Sequence, residues 1–225
     1  MKGDYGLKKY FIYLIFCISV LVIGGCGMTG NEKVEKEKVV GSAPETRALQ
    51  DEFTKEFLTS GEEVQEGYYQ FKSKTDGFTM LFPKDGEVSS ASYERNENLY
   101  ESFSFGENKE DENLAFYYMV TYEDRPITND VDANLSLLSS YANYEGDYEE
   151  FEENGHTFYY AEDVYEVDGD KAYNYFTYIK SNNSDQAVRF FARSSCKDFA
   201  EECSPEQDSI KDKFLMMMKS VSFLE

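Results

Sequence analysis

Residues 151–193 read FEENGHTFYYAEDVYEVDGDKAYNYFTYIKSNNSDQAVRFFAR, and the two dipeptides Asn154-Gly155 and Asp168-Gly169 divide the first thirty of them. Both pairs tolerate the positive φ angles that two-residue hairpin turns require. The segments they separate, Phe151–Glu153, His156–Val167 and Lys171–Lys180, are rich in aromatic and β-branched residues. Such residues pack well on a pleated, half-buried surface. A polar loop, Ser181–Gln186, then leads to a further run, Ala187–Arg193. This punctuation predicts an antiparallel meander.

Upstream, the same period of two recurs. Phe116, Tyr118, Val120 and Tyr122 share one face of Leu114–Tyr122, Phe103 and Phe105 alternate with serines, and Phe78, Met80 and Phe82 alternate before Pro83. Three stretches instead follow a period near 3.6. Val131, Leu135, Leu138 and Ala142 form one stripe, with Asn129 or Asp130 placed to cap it. Ile210, Phe214 and Met217 form another after Ser204-Pro205-Glu206-Gln207, and Val221 and Phe223 close the chain. Leu49, Phe53 and Phe57 form the third, preceded by the capping-box spacing Ser42-x-x-Glu45 and stopped at Gly61. The expected organisation is an amphipathic helix over 45–66 that docks on its own domain or forms a short stalk, then one α+β domain over 67–225. In that domain an antiparallel sheet is covered by helices.

Composition narrows the partners. The 225 residues include 22 basic and 44 acidic side chains, for a net charge of −22. A phosphate backbone would be repelled by that field, so nucleic acid is excluded as a partner. The N-terminus departs from the trend, with Lys2, Lys8 and Lys9 against Asp4, then an uncharged run from Phe11 to Ile23. A membrane-spanning helix needs roughly 20 apolar residues, so the short run reads as an export signal. An uncleaved anchor helix is the alternative. Ile23-Gly24-Gly25-Cys26 directly follows the run. It resembles the lipobox of bacterial lipoprotein signal peptides, with Ile in the position usually held by Leu. The resemblance implies recognition at Ile23, Gly24 and Gly25, removal of residues 1–25, and diacylglyceryl modification of the Cys26 thiol. Two acyl chains supply the double anchor that stable membrane attachment requires. Residues 26–44 read as a flexible acylated tether. The expected location is the extracytoplasmic face of the cell membrane, and the mature chain would carry 19 basic and 43 acidic residues.

A second resemblance rests on the two ends of the domain. Asp76-Gly77-Phe78-Thr79-Met80-Leu81-Phe82-Pro83 looks like the opening strand of PsbP-like domains, and Phe214-Leu215 followed by Lys219-Ser220-Val221-Ser222-Phe223 is similar to their closing helix and strand. The likeness implies an antiparallel sheet sandwiched by helices and a binding or assembly role. It carries no catalytic residue to this chain.

Residues able to carry chemistry are few. Cys196 and Cys203 lie in an exported domain where oxidation is permitted, so a structural disulfide is expected, with two unpaired thiols the alternative. His156, the one histidine, follows a turn and is expected to be solvated. With no Gly-x-Ser-x-Gly elbow and no second histidine, neither a catalytic triad nor the usual zinc-hydrolase set is indicated. Asp130-x-Asp132 begins like a calcium loop, but Leu135 and Tyr141 stand where Gly and Glu belong. Glu149, Glu150, Glu152 and Glu153 read as a solvated strand edge that discourages edge-to-edge pairing. No metal or cofactor is expected. Consecutive tyrosines put one ring on each face of a strand, which makes Tyr117, Tyr159, Tyr173 and Tyr175 candidates for a binding surface. The alternative for these rings is ordinary packing of a sheet under helices. The functional expectation is a noncatalytic binding or assembly factor. Its partners would be membrane lipid through Cys26 and an envelope protein or basic ligand. An envelope hydrolase using an unrecognised carboxylate site is the second reading.

Overall fold

The computed structural model describes residues 46–167, 170–198, 203 and 206–225. The export segment with Ile23, Gly24, Gly25 and Cys26, the tether, the Ser42–Glu45 box and the Asp168-Gly169 and Ser204-Pro205 pairs lie outside these residues. In chain order the strands are β1 (Tyr68–Lys72), β2 (Phe78–Pro83), β3 (Gly86–Val88), β4 (Glu94–Asn96), β5 (Tyr100–Lys109) and β6 (Leu114–Asp124). They continue as β7 (Glu149–Glu153), β8 (His156–Val167), β9 (Asp170–Ser181), β10 (Gln186–Cys196) and β11 (Ser222–Phe223). The helices are α1 (Arg47–Gln50), α2 (Glu52–Lys55), α3 (Val131–Ala142) and α4 (Gln207–Lys219). The class is α+β.

The meander read from residues 151–193 is present as β7-β8-β9-β10, consecutive antiparallel neighbours. Asn154 (φ 53°) and Gly155 (φ 80°) make the first turn in the left-handed region, as a two-residue hairpin demands. The sheet extends beyond the meander in the order β3-β5-β6-β10-β9-β8-β7, with β4 pairing β5 at one side. Strand β10 therefore lies beside β6, in register from Gln186 opposite Asp124 to Cys196 opposite Leu114. The segment containing α3 must carry the chain from the middle of the sheet to the far edge. Strand β7, with its four glutamates, is that edge and pairs only with β8 among the described strands.

Each face of the large sheet buries its own cluster. On one face Phe103, Phe105, Phe116, Tyr118, Val120, Phe158, Tyr175 and Phe190 meet the small sheet β1-β2-β11 and helix α4. Phe105 stacks on Tyr118 at 4.3 Å between ring centroids, Phe71 of β1 on Phe103 at 4.9 Å, and Phe214 of α4 meets Tyr175 at 5.1 Å. Such pairs contribute about 0.5–1.5 kcal/mol beyond the area they bury. On the other face α3 lays Leu138 and Ala142 over Ala161, Phe176, Tyr178 and Phe191. Asp130 caps α3 by accepting from the Ala133 amide at 3.1 Å.

The expected continuous helix over 45–66 is instead two single turns. Asp51 breaks it: its carboxylate accepts from the Thr54 amide at 2.7 Å and from the Thr54 hydroxyl at 2.6 Å, so it caps α2 rather than continuing α1. Short polar side chains compete for backbone amides in this way. The Thr54 hydroxyl in turn accepts from the Val88 amide at 2.8 Å, which ties the turn to β3. Phe57 then enters the core, stacked on Phe71 at 5.0 Å. The segment is integral to the domain, and Lys74 lies 4.4 Å above the Phe57 ring.

Candidate functional site

The structure separates the four candidate tyrosines. Tyr173 and Tyr175 are 5% and 1% exposed, packed in the core on the α4 side of the sheet, which removes them from any binding surface. The parity of β9 is the cause: both share their face with Ile179, which is fully buried. Tyr159 is half-buried on the α3 face and packs along Tyr178 at 6.2 Å. Tyr117 alone is open to solvent, at 39%.

Tyr117 belongs to an aromatic corner at the end of α3. Tyr141, on the last turn of that helix, is 45% exposed, and its hydroxyl lies 3.5 Å from that of Tyr117. The Tyr141 ring stands edge-on to Phe191 at 4.9 Å. Arg193 of β10 places its guanidinium 5.3 Å from the Phe191 ring and 5.2 Å from the Tyr165 ring, and donates from Nε to Asn174 Oδ1 at 2.9 Å. The arginine is thus held rigid by stacking and one hydrogen bond. Burial and the neighbouring Tyr117 hydroxyl push Tyr141 up to about 12, so the Tyr141 phenol keeps its proton and can donate at physiological pH. Exposed Leu137 on α3 adds apolar area beside them. Tyrosine and arginine are the residues that most often anchor protein interfaces.

The buried carboxylates on the large sheet are engaged within the fold. Glu101 accepts from the Lys74 and Thr75 amides, each at 3.1 Å, and organises the turn before β2. Glu123 pairs with Arg189 at 2.8 Å and with Arg125, while Arg189 also donates to Asn134 of α3. That chain of charges pins α3 to the sheet. Glu107 receives Lys213 Nζ at 2.7 Å and the Tyr118 hydroxyl at 3.4 Å on Oε2, with Lys109 Nζ 3.4 Å from Oε1.

Lys213 also borders a cavity of about 630 Å³ between α4, β1 and the start of β6. Tyr68, Lys109, Glu112, Phe116, Glu206 and Lys213 contribute to its wall. This volume is in the range of small-molecule sites. Burial lowers Lys213 below the ordinary ammonium value even though Glu107 pulls it back up. Burial and the Glu107 charge raise Tyr68 to about 12. Two sequence signals mark this place. Lys213 interrupts the stripe Ile210, Phe214, Met217 at its i+3 position, and Glu107 continues the buried face of Phe103 and Phe105.

Cys196 and Cys203 are joined in a disulfide with Cα atoms 5.9 Å apart. It ties the end of β10 to the chain leading into α4, which borders the cavity. His156 departs from the solvated position expected of it. Its ring packs edge-on against Phe223 at 4.9 Å, and burial lowers its pKa. Among the described residues no cluster of three or more metal-binding side chains occurs.

The chain is 30% identical over 235 aligned positions to the "Putative lipoprotein YvcA" of Bacillus subtilis (strain 168), covering 96% of this chain and 97% of that protein. A crystal structure from Bacteroides thetaiotaomicron VPI-5482 matches with a TM-score of 0.42 at 13% identity. That match covers 72% of this chain and 50% of the other. The family model described as "Putative lipoprotein YvcA" matches residues 44–222, the described domain with few residues to spare. The chain belongs to this lipoprotein family.

Proposed function

We propose that the protein is a lipid-anchored, noncatalytic binding factor at the extracytoplasmic face of the cell membrane, held there by acylated Cys26 on the 26–44 tether. Its partner is an envelope protein with a basic contact surface. The observation that carries this reading is the corner formed by Tyr117, Tyr141 and Arg193. There two exposed phenols stand beside a guanidinium held by ring stacking and a hydrogen bond, all on rigid elements. A mature chain of 19 basic and 43 acidic residues favours a partner of opposite charge. The PsbP-like likeness of the two chain ends agrees with a binding role.

The test is a photoreactive amino acid placed at Tyr117 in growing cells, with Glu150 on the β7 edge as the control position. The expected result is one crosslinked envelope protein from position 117, lost when Arg193→Ala is added. The reading fails if position 117 yields no adduct while Glu107→Gln or Glu112→Gln abolishes turnover of a wall polymer. That second result would establish the hydrolase instead.

A further inference from the structure

The cavity beneath α4 is distinct from the aromatic corner, and its wall carries both signs of charge beside apolar side chains. Lys109 and Lys213 approach Glu107 from two sides, and each ammonium carries three donors. Lys213 commits one of them to Glu107 and rests 4.8 Å from the Phe116 ring, which leaves donors for a second acceptor. Glu112 and Glu206 line the same cavity, and both are exposed at its rim. Leu114, Phe116 and Ile210 add apolar surface to the same wall. Lys213 is the deepest of these charges, its side chain 17% exposed, Lys109 is 38% exposed, and the two carboxylates are open to solvent. A free anion is opposed twice, by the rim and by a domain of strongly negative charge. A ligand with no net charge and separated ends meets neither obstacle.

We propose that this cavity binds a short zwitterionic peptide of two or three residues, its carboxylate held by Lys109 and Lys213 and its amino group by Glu112 and Glu206. An apolar side chain of the peptide lies on Phe116 and Ile210. The cavity of about 630 Å³ accommodates a ligand of that size with solvent to spare. The peptide is bound without chemistry, since Lys213 remains paired to Glu107.

Titration calorimetry on the mature acylated protein in detergent tests this, with the dipeptide Ala-Phe as probe. N-acetyl-Ala-Phe and Ala-Phe-amide serve as the singly charged controls. Saturable one-to-one binding of Ala-Phe is expected, weakened about tenfold or more by either cap, the loss that one charge-assisted hydrogen bond represents. Lys213→Met would strand buried Glu107 and threaten folding, so Lys109→Gln is the diagnostic variant. It should weaken Ala-Phe by a similar factor at unchanged melting temperature, and Ser209→Trp, which fills the cavity, should abolish binding. The proposal is overturned if Ala-Phe, Leu-Leu and Ala-Phe-Ala all fail to bind up to about 10 mM. It is equally overturned if the acetylated probe binds as well as the free one, or if both variants leave binding intact.

Discussion

Replacing Gly77 with alanine tests the contact between the two sheets. A Cβ at this position would stand 2.2 Å from Tyr122 Cζ, 2.3 Å from its hydroxyl and 2.6 Å from Cε1. Tyr122 has no room to retreat: it is 1% exposed and stacks on Phe78 at 5.4 Å. Its hydroxyl accepts from Gln186 Nε2 at 3.1 Å, and the same amide nitrogen reaches the carbonyls of Gly77 at 3.2 Å and Leu224 at 2.8 Å. One side chain thus joins the start of β2, the large sheet and the C-terminal segment. Forcing the phenol aside costs about 1–3 kcal/mol in overpacking. Breaking its hydrogen bond adds about 1 kcal/mol. A total of about 2–4 kcal/mol lowers the melting midpoint by roughly 5–15 °C in a domain of this length. Thermal unfolding followed by circular dichroism measures it. A double-mutant cycle with Tyr122→Leu identifies the cause, because leucine ends short of the ring atoms that clash. Gly77→Ala should cost much less in that background. An unchanged midpoint, or the same penalty in both backgrounds, refutes the close approach.

Other outcomes follow from the same structure. Non-reducing mass mapping should recover the Cys196 and Cys203 peptides linked, and Cys196→Ser with Cys203→Ser should lower stability by about 2–3 kcal/mol in denaturant; quantitative maleimide labelling of the native protein would contradict both. Burial raises the folded-state pKa of many phenols, among them Tyr68, Tyr118, Tyr160 and Tyr178. The unfolded chain then loses their protons first, so stability is complete below about pH 10 and falls as pH rises beyond it. Alkaline unfolding monitored by the phenolate absorption band should therefore be cooperative, whereas gradual noncooperative titration would count against the buried rings. Arg189→Leu should cost about 3 kcal/mol, since it leaves buried Glu123 with only the more exposed Arg125 and releases Asn134 of α3; a loss under 1 kcal/mol would show that Arg125 alone suffices. Cys26→Ala should release the protein from membranes or leave its precursor uncleaved, and unchanged lipid labelling would be fatal to the anchor.

Much of the architecture could be read locally. A strand's face is set by parity, so Phe116, Tyr118, Val120 and Tyr122 declared the buried side of β6 without reference to anything distant. Asn154-Gly155 declared its hairpin because few other residue pairs accept two positive φ angles. The absence of a continuous helix over 45–66 has an equally physical reason. The spacing of Leu49, Phe53 and Phe57 is helical, but Asp51 gains more by capping Thr54 than by continuing the turn. The candidate site was partly legible. Glu107 on an aromatic strand face and Lys213 in an apolar helical stripe were each visible as breaks in a pattern, while their pairing across 106 positions was not.

The sequence by itself determined the class, the meander, the buried faces and the acidic surface, because each depends on neighbours a few residues apart. The tertiary structure decided that β10 returns to β6, that α3 crosses one sheet face, and that Tyr117 meets Tyr141 while Tyr173 and Tyr175 are enclosed. Those outcomes depend on which elements cover which face. Such coverage is settled by the packing of distant side chains, and no local periodicity encodes it.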